Sequence, residues 1–68
     1  MKILISAKEL EVLRKTVSGL SSMEIANELK ISAKDVESSL KGIMKSTQSK
    51  EPIQALHSLA KHGFQLRD

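Results

Sequence analysis

Residues 21–45, SSMEIANELKISAKDVESSLKGIMK, decide how this 68-residue chain folds. Two short helical patterns meet here at a polar-apolar break over Leu29 to Ser32. Ser21 is followed three residues later by Glu24, and Ser32 three residues later by Asp35. A serine hydroxyl accepting from the backbone N–H three residues on, answered by an acid that reaches back to the serine N–H, opens a helix. The stretch therefore reads as a helix-turn-helix. One helix runs over about 22–29 with Ile25, Ala26 and Leu29 inward, and a second over about 33–46 with Val36, Leu40, Ile43 and Met44 as its core stripe.

Upstream, Ser6 with Glu9 forms another capping box, and Leu10, Leu13 and Val17 fall at helical spacing over about 7–17, with Val12 on the flank. Gly19 stops this helix, because glycine enters a left-handed cap without a Cβ clash, and Leu20 supplies the apolar contact behind it. Downstream, Thr47 to Lys50 is a polar linker. Pro52 then starts a fourth helix over about 52–62, at a position where its missing N–H loses nothing. Ile53, Leu56 and Ala60 form one apolar stripe on this helix and Ala55 with Leu59 another. One side packs on the three-helix core. The other is either a dimer interface or a surface covered by Phe64 and Leu66 of the tail. Gly42, inside the third helix, costs about 1 kcal/mol relative to alanine and marks either a close approach or a tolerated exposed glycine. No period-2 strand pattern is read. The expected fold is all-α: one domain over 1–68, with a trihelical core and a fourth helix for packing and dimerisation.

A chain this short buries only about 60% of its unfolded surface, so a partner or a second copy would add burial that it lacks. The absence of cysteine excludes disulfides and thiolate metal sites, and His57 and His62 alone make no metal cage; no metal or cofactor is expected. The initial MKILI is too short for a signal segment or a spanning helix of about 20 apolar residues, so the protein is expected to be soluble and cytoplasmic. No carboxylate pair, glycine-rich phosphate loop or serine-histidine motif stands at a meaningful spacing; no catalytic residue, and no enzyme, is expected.

The net charge of +3 is local. Residues 1–29 and 51–68 each balance to zero, so the whole excess lies in 30–50, where Lys30, Lys34, Lys41, Lys45 and Lys50 face Asp35 and Glu37. A nucleic-acid footprint is expected there; the plainer alternative is a solvated lysine face.

The sequence resembles the LuxR/GerE-type DNA-binding domain of bacterial transcription regulators over nearly its whole length. ISAKELEVLR is similar to that family's opening helix, GLSSMEIANELKIS to its glycine, capped second helix and turn, KDVESSLKGIMK to a diverged recognition helix, and IQAL to the start of its fourth helix. The first three helices are also similar to the promoter-reading region of sigma factors; the helix carrying Gln54, Ala55 and Leu56 favours the first family. The resemblance implies that Lys34 and Lys45 meet DNA phosphates and that Lys41 faces base edges. It also implies double-stranded DNA as partner and a fourth helix, through Ile53, Leu56 and Ala60, that supports a homodimer. Asp35 stands where the family usually has threonine, Glu37 where it often has lysine or arginine, and Ser39 where it often has histidine. Met23, Ser22, Glu51 and Pro52 depart as well.

A carboxylate among phosphates is repelled unless it finds a donor. For Glu37 the cytosine N4 amine is one, a pairing worth about 1 to 3 kcal/mol, with Ser38 beside it as a further base-reading candidate. Asp35 is expected to cap Ser32 reciprocally. Two functions follow: a DNA-binding transcription regulator inserting helix 33–46 into the major groove as a dimer, or an interaction module on the same fold that has lost much DNA affinity and pairs with another regulator. No sensor segment is read in these residues, so control is expected to come from outside them.

Overall fold

In a computed structural model that describes residues 2–67, the chain forms strand β1 (Ile3–Ile5), helices α1 (Ala7–Val17), α2 (Ser22–Leu29), α3 (Ala33–Ser46) and α4 (Pro52–His62), and strand β2 (Phe64–Leu66). The body is helical. Each of the first three helices opens on a serine whose Oγ accepts from the N–H three residues on: Ser6 from Glu9, Ser21 from Glu24 and Ser32 from Asp35. In the first two the glutamate answers, with Ser6 N–H to Glu9 Oε1 at 2.9 Å and Ser21 N–H to Glu24 Oε1 at 2.8 Å. At α3 the answer is missing, which corrects the expected reciprocal cap. Asp35 is exposed and only the Ser32 half of the box forms, because aspartate is one methylene too short to reach back comfortably.

The helix ends are as specific as the starts. After α1, Gly19 (φ +103°) donates to Thr16 O and Leu20 to Lys15 O, so the chain turns left-handed and Leu20 tucks against the core. The same turn follows α2 and α3 with a side chain in the left-handed position. Lys30 (φ 58°) precedes Ile31, whose N–H bonds Ala26 O, and Gln48 (φ 53°) precedes Ser49, whose N–H bonds Met44 O. The polar linker is thus a tight cap rather than a loose tether. Thr47 is buried within it, its Oγ1 donating to Ile43 O at 2.8 Å. Gln54 Oε1 accepts from the Lys50 N–H on the approach to α4, where Glu51 makes no side-chain cap of its own.

Two apolar clusters meet across α3. Ile5, Leu13, Ile43, Ala55 and Leu59 form one, and Val12, Ile25, Ala26 and Val36 the other, with Leu40 packed against both. Burying an aliphatic side chain completely contributes about 1.5–3 kcal/mol, so these two clusters hold α3 in position. Ala26 lies in the second cluster, where its small side chain lets α2 sit close to α3. Gly42 has a definite reason. A Cβ there would lie 2.8 Å from Glu9 Oε2, so the glycine makes room for the Glu9 carboxylate.

The strands were not anticipated. β1 and β2 pair in parallel, with Ile3 opposite Phe64 and Ile5 opposite Leu66. Three residues are too few to display an alternation, and the pairing joins the two ends of the described chain, beyond any local pattern. The tail is therefore committed to β1, and Ile53 on α4 remains 58% exposed.

Candidate nucleic-acid interface

The candidate surface is built on α3 from the inside out. Val36 and Ile43 are buried, which fixes the rotation of the helix and turns the opposite side to solvent. Lys34, Glu37, Ser38 and Lys41 line one shallow groove on that side. Their spacing of three and four residues makes them neighbours on one helical face. Lys45 is exposed one turn further along, so the structure brings the expected phosphate and base-reading residues onto a single strip.

The strip is uncommitted. Among the described residues no ion pair joins Glu37 to Lys34 or Lys41; the ion pairs found are Glu11 with Arg14, Lys15 with Glu28, and Glu9 with Arg67. Its three lysines and one carboxylate are all available to a partner. Among the described residues none donates a hydrogen bond to the carboxylate of Asp35 at the leading turn either. The scaffold behind the strip is tied by charge: Lys15 Nζ donates to Glu28 Oε1 at 2.8 Å, joining α1 to α2, and this hydrogen bond first, then the glutamate's charge, raises the lysine pKa above its usual 10.5 despite some desolvation.

A trihelical body whose third helix presents a basic strip, preceded by a capped helix and a tight left-handed turn, has the form of a helix-turn-helix domain. The family model described as bacterial regulatory proteins, luxR family, matches residues 4–58. The chain belongs to the LuxR family of bacterial regulatory proteins. None of the curated proteins matches it. The LuxR-family match covers α1 to α3 entirely and most of α4, and identifies a DNA-binding helix-turn-helix of a transcription regulator, from a regulatory rather than an enzyme family. Among the described residues no helix is long and apolar enough to cross a membrane, and no group of three His, Cys, Asp or Glu converges as for a metal ion.

The two stripes expected on α4, Ile53, Leu56 and Ala60 against Ala55 and Leu59, do not separate cleanly, because Leu56 packs against the cluster that holds Ala55 and Leu59. Ala55 and Leu59 are buried, Leu56 is half-buried, and Ile53 and Ala60 are exposed. Sequence reasoning missed a second feature of this LuxR-family domain. Beside the strip on α3, a shallow cleft is lined by Ser6, Lys8, Glu9, Ser38, Ser39 and Arg67. Arg67 lies 58 positions from Glu9, whose Oε1 it meets at 2.8 Å, so no spacing in the chain could reveal the meeting. Only the fold does, by pairing β2 with β1.

Proposed function

We propose that this LuxR-family domain reads double-stranded DNA by placing α3 in the major groove, as a homodimer formed through α4. Lys34 and Lys45 neutralise backbone phosphates, Lys41 meets base edges, and Glu37 and Ser38 add selectivity, Glu37 by accepting from a cytosine amine. Ile53, Leu56 and Ala60 form the dimer contact, and the protein acts in the cytoplasm. The observation that carries this reading is the strip itself: Lys34, Glu37, Ser38 and Lys41 share one exposed groove on the helix whose opposite side is locked into the core.

The test is a duplex-DNA titration of the wild type and Lys41→Ala at two salt concentrations. Wild-type affinity is expected to fall steeply with salt, since each neutralised phosphate releases counterions. Lys41→Ala is expected to lose about 1–3 kcal/mol of sequence discrimination. Asp35 and Glu37, both exposed at the leading end of α3, favour a second reading, an interaction module that pairs with another transcription regulator. Absence of DNA binding at low salt, together with association with a protein partner, would establish that reading in place of the first.

A further inference from the structure

We infer that the cleft between α3 and the first turn of α1 is a second phosphate site, gripping the DNA backbone beside the reading helix through Lys8 and Arg67. This rests on the proposed DNA reading. Along α3, successive residues turn by about 100°. Ser38 faces the reading groove and also lines the cleft, while Ser39, one step around, is buried at the cleft's floor. The cleft therefore opens on the flank of the helix, roughly a quarter turn from the strip that faces the bases.

That flank is where a phosphate wall would stand. A helix is about 10–12 Å across with its side chains, and the major groove is about 12 Å wide, so an inserted helix has a sugar-phosphate backbone against each side. Groups a quarter turn from the reading face meet these walls rather than the bases. On the α1 side those groups are Lys8, Arg67 and the hydroxyls of Ser6, Ser38 and Ser39.

The charges in the cleft leave room for a phosphate. Glu9 is also there, but its carboxylate is already used: Oε1 accepts from the Ser6 N–H at 2.9 Å and from Arg67 Nη2 at 2.8 Å. Its side chain is only 13% exposed, against 51% for Arg67. The guanidinium thus shields the acid while turning its remaining donors outward, and a guanidinium has five. Lys8 is exposed and makes no ion pair among the described residues. Two cations face one neutralised acid, so the cleft carries a net positive charge next to the strip. Ser39, being small, leaves it open.

The site would place two cations on phosphate, with no contact to bases, and so act on affinity without changing sequence preference. The experiment titrates a mixed-sequence duplex with wild type, Lys8→Ala, Arg67→Ala and Lys61→Ala between about 50 and 200 mM salt. Lys61 is an exposed cation on α4 outside the cleft, so its removal matches the change in net charge. Lys8→Ala is expected to reduce the slope of log K against log salt by about one and to leave thermal stability unchanged, whereas Lys61→Ala leaves the slope as it was. Arg67→Ala is expected to lower affinity further, because it also unmasks Glu9. If the wild type binds and Lys8→Ala keeps the full slope, or Lys61→Ala loses as much, the cleft is not a phosphate site and the reading of α3 stands. If the wild type binds no DNA at low salt, both fall.

Discussion

Among the described residues, Lys30 and Gln48 hold a left-handed backbone without being glycine. Each sits where Gly19 sits after α1, at the turn that lets the next N–H reach a carbonyl five residues back. A Cβ in that conformation costs about 1–2 kcal/mol, part of which a glycine returns as extra freedom in the unfolded chain. Gln48 is exposed and away from the reading strip, so it isolates the effect. Gln48→Gly is expected to stabilise the domain by up to about 1 kcal/mol, and with a shift of about 4–8 °C per kcal/mol for a domain of this size, thermal melting resolves it. A lower melting temperature would mean that the left-handed turn after α3 carries no strain. These two positions were also the least legible in the sequence: Gly19 announces its turn, whereas lysine and glutamine announce nothing, and Thr47 to Lys50 therefore read as a linker.

The elements themselves were legible because their starts are local. A serine, and a glutamate three residues on, satisfy each other within one turn, so α1 and α2 carry their own punctuation, and the core stripe of α3 follows from periodicity; on α1 the spacing found Leu13 but set Val12 on the flank, where the second cluster with Ile25 and Val36 buries it completely. The Asp35 half-box shows the limit of such reading, where one methylene separates a reciprocal cap from a single bond. What joins one element to another is not local. The Lys15–Glu28 contact couples α1 to α2 across 13 positions and raises the lysine pKa above 10.5. A lysine whose folded pKa exceeds its unfolded value contributes stability that is fully present below the unfolded pKa and is lost as pH rises through the folded one. Wild type should therefore be more stable than Lys15→Met from neutral pH up to about 10.5, and the difference should vanish at higher pH. Because the pair is partly exposed, added salt should shrink it as well. Chemical denaturation at a series of pH values checks this, and a difference that persists at the alkaline end would assign it to packing of the lysine stem instead.

At the scale of the whole molecule, the question is what a domain of this size does with an apolar residue it leaves outside. Ile53 is 58% exposed, and on its helix Ala60, seven positions on, is exposed beside it, while Leu56 between them is half-buried and packs against the cluster of Ala55 and Leu59. The tail that could have covered Ile53 is held against β1. An α4 of 11 residues is only about 16 Å long, so a helix-to-helix contact there falls short of the roughly 1,200–2,000 Å² buried in a standard stable interface. The proposed dimer through α4 is accordingly expected to be weak in free solution and to gain strength on DNA, where each bound half-site raises the effective concentration of the other subunit. Sedimentation equilibrium should show the average mass of the wild type rising with concentration. Ile53→Glu should sediment as a monomer with an unchanged melting temperature, since the side chain it replaces contributes little to the core. It should also bind duplex DNA without the cooperativity of the wild type. A wild type that remains monomeric at every concentration and binds DNA without cooperativity, or a variant that associates as before, would move the interface away from α4, and the half-exposed Phe64 and Leu66 of β2 would be the next surface to substitute.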